Sequence, residues 1–319
     1  MSKNLEGRAA IVTGGGRGLG RGIALLFAQE GAKVVVNDPG LGREGQATEE
    51  RPADEVVAEI RKAGGTAVAN YGSVADYKQA AAMVEQCANE FGSVDLLVNT
   101  AGLLRERMIW NMTEEDFDLV ISVHLKGHWN MCHHAIKRMR TQGFGRIVNV
   151  SSDAFKGAVG QCNYVAAKGG IISLSRAIAK EAAKYGITCN ALCPVADTRM
   201  TLNEVVVANR KRRLDAGEIT REQYDRIMKG RGPEFVAPVA AYLCTNEADW
   251  VNGQIIHIER WLLHTYKFGE TMNPIEKDTD EGYFSLEELK EKIPTILKGT
   301  TQVASPVRYQ DAEKYINRR

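Results

Sequence analysis

Residues 8–38, "RAAIVTGGGRGLGRGIALLFAQEGAKVVVND", decide how the chain folds. "RAAIVT" (8–13) reads as a short buried strand. "GGGRGLG" turns the chain, "RGIALLFAQEG" is apolar at helical spacing and stops at Gly31, and "AKVVVND" (32–38) is a second strand built on three consecutive valines. A strand, a glycine turn, a helix and a strand within about 30 residues form a βαβ unit. The helix is the crossover that parallel strands require.

The same rhythm repeats outward from this unit. "ADEVVAEIRKAGG" is followed by "TAVANYG", "YKQAAAMVEQCANEFG" by "VDLLVNTAG", and a long helix over 113–141 by "GRIVNVSS". "NYVAAKGGIISLSRAIAKEAAKYG" then precedes "ITCNALCP", and "PEFVAPVAAYLCTNE" precedes "GQIIHIE". Near-continuous apolar strands alternating with helices imply a parallel sheet covered on both faces. The expected fold is α/β: a doubly wound, Rossmann-type sheet of seven parallel strands flanked by helices. It occupies residues 1–261, with a C-terminal extension over 262–319 that packs on the domain or on a neighbouring subunit.

Two segments break the rhythm. Residues 39–53, "PGLGREGQATEERPA", make a polar excursion after the second strand, and residues 199–232 are highly charged around "NRKRRLDAGEITREQYDRIMKGRG". In the tail, "SLEELKEKIPTIL" places Ser285 and Glu288 as a capping box. The 41 Lys plus Arg balance 40 Asp plus Glu, so no global charge steers the chain to nucleic acid or to a membrane surface. No apolar run has the length of a signal peptide or a bilayer span. The six cysteines, at 87, 132, 162, 189, 193 and 244, are scattered and form no C-x-x-C pair. The expectation is a cytoplasmic protein with reduced, buried thiols and no metal site.

Chemistry enters at "TGGGRGLG", Thr13 to Gly20. Glycines between a strand and a helix let the backbone approach a pyrophosphate, and the helix N-terminus offers N–H groups and a positive dipole end. Thr13, Gly14, Arg17, Gly18, Leu19 and Gly20 are therefore candidate dinucleotide contacts. Asp38 ends the second strand, 24 residues after Gly14. A carboxylate there accepts from both adenosine ribose hydroxyls and repels a 2′-phosphate, which favours NAD over NADP. Arg17 is the contrary signal, since it could pair a 2′-phosphate. Tyr164 and Lys168 stand one helical turn apart, twelve and sixteen residues after Ser152. On spacing alone such a pair reads as ordinary amphipathic packing rather than as a functional pair.

Taken together these stretches resemble the short-chain dehydrogenase/reductases over residues 5 to about 260. "TGGGRGLG" looks like that family's cofactor loop, "NTAG" (99–102) like its N-N-A-G, "NVSS" (149–152) like the end of its fifth strand, and Tyr164/Lys168 like its Y-x-x-x-K pair. "VVVND", "ADEVVAEIRKAGGTAVANY", "SVHLKG", "GQCNYVAAK", "TRMT" and "PEFVAP" further resemble the subgroup that forms the (3R)-hydroxyacyl-CoA dehydrogenase unit of peroxisomal type-two multifunctional enzymes.

The resemblance implies hydride transfer between NAD and a secondary alcohol, most specifically a 3-hydroxyacyl-CoA, in a homodimer or homotetramer. Ser152 orients the substrate oxygen, Tyr164 is the acid/base, and Lys168 lowers its pKa. Ser73, Val74, Asn99, Ala101, Gly102, Tyr164, Lys168, Pro194 and Thr198 join the cofactor contacts. The segment 199–232 becomes a lid whose cations meet the coenzyme A phosphates, against the plainer reading of a solvated face.

There are departures. His124 stands where the family has Asn; either its backbone carbonyl keeps the family role near the lysine, or its ring fills space. Gly72 stands where an acidic residue is usual, and "CPVAD" lacks a Pro-Gly step. Ser152 lies one residue closer to Tyr164 than is usual, so Ser151 competes for the serine role. The same chemistry on a steroid or other bulky alcohol stays open, as does a non-catalytic subunit supporting a partner.

Overall fold

The computed structural model describes residues 3–197, 204–228, 232–260, 262–269, 274–275 and 285–297. The chain runs β1 (Ala9–Thr13), α1 (Gly18–Gln29), β2 (Lys33–Asn37), α2 (Pro52–Lys62), β3 (Thr66–Asn70), α3 (Tyr77–Phe91) and β4 (Leu96–Asn99). It continues through α4 (Glu114–Ile121), α5 (Gly127–Gln142), β5 (Gly145–Val150), α6 (Cys162–Ala182) and β6 (Ile187–Pro194). Two short helices follow, α7 (Glu204–Asp215) and α8 (Arg221–Met228), then α9 (Ala237–Leu243), β7 (Ile255–Glu259), β8 (Leu262–Thr265) and α10 (Leu286–Ile296).

The strands form one sheet in the order β3-β2-β1-β4-β5-β6-β7-β8. All neighbours are parallel except β7 and β8. Alternate strand residues serve opposite faces. Ile11, Val35, Leu97 and Ile147 pack against α3 and α5 through Met83, Cys87, Met131 and Ala135. Val12, Val36, Val98 and Val148 pack on the other side with Ile23 and Phe27 of α1 and Val56 of α2. Because both faces are buried, the strands read as unbroken apolar runs.

The chain leaves β1 towards β3 and then reverses to β4, so the sheet has its switch point between β1 and β4. Thr13 is level with Asn37 and Asn99, and Asn99 with Asn149. Four carboxyl ends thus line one edge around the crevice where open α/β sheets bind ligands.

Three features differ from the sequence reading. The sheet has an eighth strand: β8 turns back antiparallel onto β7, with Glu259 opposite Leu262. Leu262 is 44% and Leu263 61% exposed, so this edge strand has no buried face to print an alternating pattern. The helix expected over 113–141 is interrupted by a π-helical turn, Ser122–Lys126, between α4 and α5. The last long helix is shorter than its apolar pattern, since Pro233–Phe235 is a 3-10 turn ahead of α9. Beyond Tyr266 the described residues include α10, whose Ser285–Glu288 capping box is complete.

Candidate active site

The glycine turn after β1 is shaped for close backbone approach. Gly14 has φ 62°, and a Cβ on Gly20 would lie 2.2 Å from the Gly14 carbonyl oxygen, so no larger residue fits where α1 begins. The groove beside it is lined by Gly14, Arg17 to Gly20, Asn37, Asp38, Ser73, Val74 and Thr100 to Leu103. Asp38 is only 9% exposed; its Oδ2 accepts from Gly16 N at 3.2 Å and its Oδ1 from Gly40 N at 2.9 Å. Arg17 donates to the Leu41 carbonyl at 3.2 Å and is paired with Glu50.

The polar excursion after β2 also reaches this groove, through Pro39, Leu41 and Gly42. Its far side is tied to the loop after β4. Leu104 N donates to Arg43 O at 3.1 Å, Arg105 Nε to Glu44 O at 2.8 Å, and Arg43 pairs with Glu106 at 2.7 Å.

The second half of the site lies at the end of β5. Ser151 is buried and its hydroxyl donates to the Lys168 carbonyl at 2.8 Å, so it is committed to holding α6. Ser152 is half-buried, accepts from Ala154 N at 3.2 Å, and lies beside Tyr164. Lys168 Nζ donates to the Val150 carbonyl at 2.6 Å and lies 5.3 Å from the centre of the Tyr164 ring. The edge of the buried His124 ring meets Tyr164 at 5.2 Å and 89°. His124 Nε2 sits 3.1 Å from Leu103 N and 2.8 Å from Leu103 O. Gly102 makes room for it, since a Cβ there would fall 2.3 Å from His124 Cε1. The π turn sets this ring against the tyrosine, as such turns often do at functional sites.

Burial governs the protonation of this cluster. It pushes the Tyr164 phenol up to about 12, partly offset by the neighbouring Ser152, and pushes Lys168 down to about 7. His124 is held well below the usual histidine range by burial and by Lys168. Burial dominates both shifts. An ammonium and a phenolate formed together are a different matter. Each charge then compensates the other, and the pair is penalised less than either alone.

Residues 8–206 match the model of the short chain dehydrogenase family. The chain belongs to that family, and it is an oxidoreductase. Peroxisomal multifunctional enzyme type 2 of Drosophila melanogaster is 44% identical to it over 252 residues, 79% of this chain and 38% of that protein. The chain therefore spans well under half the length of that relative. Hydroxyacyl-CoA dehydrogenase ChsB1 of Mycobacterium tuberculosis is 36% identical over 261 residues, 79% of this chain and 77% of that one. A crystal structure of a short chain dehydrogenase from Mycobacterium avium superposes with a TM-score of 0.77 at 38% identity, covering 95% of this chain and 99% of that one.

In this dehydrogenase the residues singled out from sequence fall into two groups. Gly14, Arg17, Gly18, Leu19, Gly20, Asp38, Ser73, Val74, Ala101 and Gly102 line the groove. Thr13 and Asn99 lie beneath its floor. The Thr13 hydroxyl accepts from Thr100 N and Ala101 N at 3.2 and 3.3 Å. Asn99 donates to Asn149 at 2.9 Å, and Asn149 donates on to Ser175 at 3.0 Å. Pro194 ends β6, and Thr198 lies outside the described residues.

Of the charged segment, α7 carries Lys211, Arg212 and Arg213 exposed, with Arg213 paired to Glu218 at 3.2 Å. Lys229 and Arg231 lie outside the described residues.

Sequence reasoning passed over Pro39, Leu41 and Gly42, because an irregular polar loop carries no periodic signal. It also passed over His128, 1% exposed and one turn after His124, whose Nε2 has no hydrogen-bond partner. His128 belongs to no motif, although its place on the buried stripe of α5 with Met131, Cys132 and Ala135 is a readable signal. The six cysteines are free thiols, and among the described residues no helix is long and apolar enough to cross a membrane.

Proposed function

We propose that the chain is an NAD-dependent dehydrogenase that interconverts a 3-hydroxyacyl-CoA and a 3-ketoacyl-CoA. The observation that carries the reading is the convergence of Ser152, Tyr164 and Lys168 at the end of β5, beside a groove that closes on Asp38. The cradle fits a dinucleotide, since the glycine turn and the N-terminus of α1 face the groove together. NAD rather than NADP is supported by the Asp38 carboxylate lining the adenosine end and by Arg17 being engaged with Glu50 and Leu41. Bound NAD would supply the hydride acceptor.

The chain's own residues do the rest. Ser152 donates to the substrate oxygen and fixes its direction. As the phenolate, Tyr164 takes the hydroxyl proton of the alcohol, and as the phenol it returns it to the alkoxide in the reverse direction. Lys168 is poised near neutrality, so it can carry the positive charge that makes a phenolate tolerable beside it. His124, neutral at physiological pH, packs against the tyrosine without adding a competing charge.

Support for the acyl-CoA comes from the name of the mycobacterial relative and from the exposed cations Lys211 and Arg212 on α7. The test is NADH formation by the purified protein with NAD and a panel of (3R)-hydroxyacyl-CoAs, hydroxysteroids and short secondary alcohols. Turnover of the acyl-CoAs well above the others is expected. Preference for a steroid would reassign the substrate, and no turnover of any alcohol would point to a non-catalytic subunit.

A further inference from the structure

The short turn that follows Ser152, Asp153–Lys156, is held from outside the site by the residue that follows the last strand. Tyr266 stands directly after β8. Its hydroxyl donates to Asp153 Oδ1 at 3.0 Å and accepts from Lys156 Nζ at 3.0 Å. Its ring meets Phe155 edge-on at 5.3 Å. One side chain thus contacts three of the four residues of the turn. Asp153 is gripped further: Oδ1 also accepts from His257 Nδ1 of β7 at 3.1 Å, and Oδ2 pairs with Lys156 at 3.2 Å. His257 is buried and stacks on His264 of β8 at 4.4 Å, which locks the donor ring in place. Burial works against the Asp153 carboxylate, but its bonds to His257, Tyr266 and Lys156 outweigh it, so the carboxylate stays ionised.

The turn in question sets the serine. Ser152 Oγ accepts from Ala154 N at 3.2 Å, and the Ser152 carbonyl accepts from Phe155 N at 3.1 Å. Any tilt of Asp153–Lys156 therefore moves the hydroxyl that faces Tyr164. We infer that Tyr266 is a positioning residue for the reaction: with Asp153 and His257 it fixes the Ser152 turn to the β7–β8 hairpin, so that substrate orientation depends on chain beyond the seventh strand. This rests on the reading of Ser152 given above. It adds to that reading a device sequence motifs do not contain, because Asp153 and Tyr266 are 113 residues apart.

Tyr266→Phe keeps the ring against Phe155 and removes both hydroxyl bonds. At saturating NAD, kcat is expected to fall roughly 2- to 10-fold, the worth of one net hydrogen bond. The dissociation constant for NAD, read from protein fluorescence, should be unchanged, because no member of this network lines the groove. Asp153→Asn should behave in the same direction. The decisive comparison is a double-mutant cycle with Ser152→Ala. If Tyr266 acts through the serine, adding Tyr266→Phe to Ser152→Ala should cost nothing more. An equal loss in both backgrounds, a loss of NAD affinity, or no loss in the wild-type background would overturn the inference. If Ser152→Ala itself leaves turnover normal, the serine assignment falls and the positioning role with it. A slow Ser152→Ala beside a normal Tyr266→Phe removes only the latter.

Discussion

Asp38 carries the sharpest prediction, because its carboxylate serves two purposes that substitution can separate. In the protein it ties the glycine turn to the polar excursion through Gly16 N and Gly40 N, while facing the groove. In the proposed complex it also accepts from the adenosine ribose and repels a 2′-phosphate. Asp38→Ala removes everything at once. A hydrogen bond to a charged group is worth about 1.5–3 kcal/mol, which converts to a loss of roughly 10- to 150-fold in NAD affinity. NADP should lose less or gain, because the repulsion goes too.

Asp38→Asn separates the parts. An amide has one oxygen, so it can keep one of the two backbone N–H groups and a neutral ribose contact, but no charge. It should fall between wild type and Asp38→Ala for NAD while relaxing discrimination nearly as far. The assay is fluorescence titration of NAD and NADP against wild type and both variants, with kcat/KM for each cofactor alongside. A wild type that already prefers NADP would refute the reasoning. So would an unchanged NAD-to-NADP ratio in both variants, which would reduce Asp38 to a brace for the loop.

Other outcomes follow from the same geometry. Tyr164→Phe should lower turnover by at least about 100-fold, the low end for general acid/base catalysis, with NAD binding retained; near-normal turnover would remove Tyr164 from its role. Ser152→Ala should slow the reaction more than Ser151→Ala, whose cost should appear chiefly in thermal stability because its hydroxyl holds the Lys168 carbonyl. Burial holds the folded-state pKa of Lys168 at about 7 against 10.5 for the free group, so the unfolded chain binds more protons between those values. Stability of the unliganded protein should therefore rise from pH 7 to about 8.5, by at most ~1.4 kcal/mol per unit, and Lys168→Met should flatten that slope in denaturant titrations. Above about pH 9 the buried thiols of Cys87, Cys132 and Cys244, pushed up to about 12, reverse the trend. Lys211→Ala with Arg212→Ala should raise KM for an acyl-CoA a few-fold, more so at low salt, and leave an uncharged alcohol unaffected; equal effects on both would make α7 a solvated face.

What was legible in the sequence was what repeats locally. The valine run of β2 and the glycine turn before α1 announce a parallel sheet and its switch point, because a strand buried on both faces has no polar residue to spare. The groove-lining glycines and Asp38 follow from that turn. The illegible parts are those made by contacts across the chain. Leu41 and Gly42 line the groove while the next residues, Arg43 and Glu44, bond to the loop at 104–106, and nothing in "PGLGREGQATEERPA" encodes that meeting. The π turn at His124 is invisible to helical periodicity, yet it decides which way that ring points.

The depth of Tyr164 and Lys168 was also illegible in the sequence. Their spacing places both on one helix face but says nothing of depth, and at this depth burial disfavours both charges. A site built this way holds its base protonated until a partner charge appears beside it. The phenol must first lose its proton, and the phenolate then takes one only from an alcohol oxygen that Ser152 holds against it, which makes the orientation of that oxygen decisive. The grip of Tyr266 on the Ser152 turn then becomes intelligible. A reaction that waits on alignment needs the aligning residue to be rigid, and the β7–β8 hairpin supplies the rigidity from the opposite end of the chain.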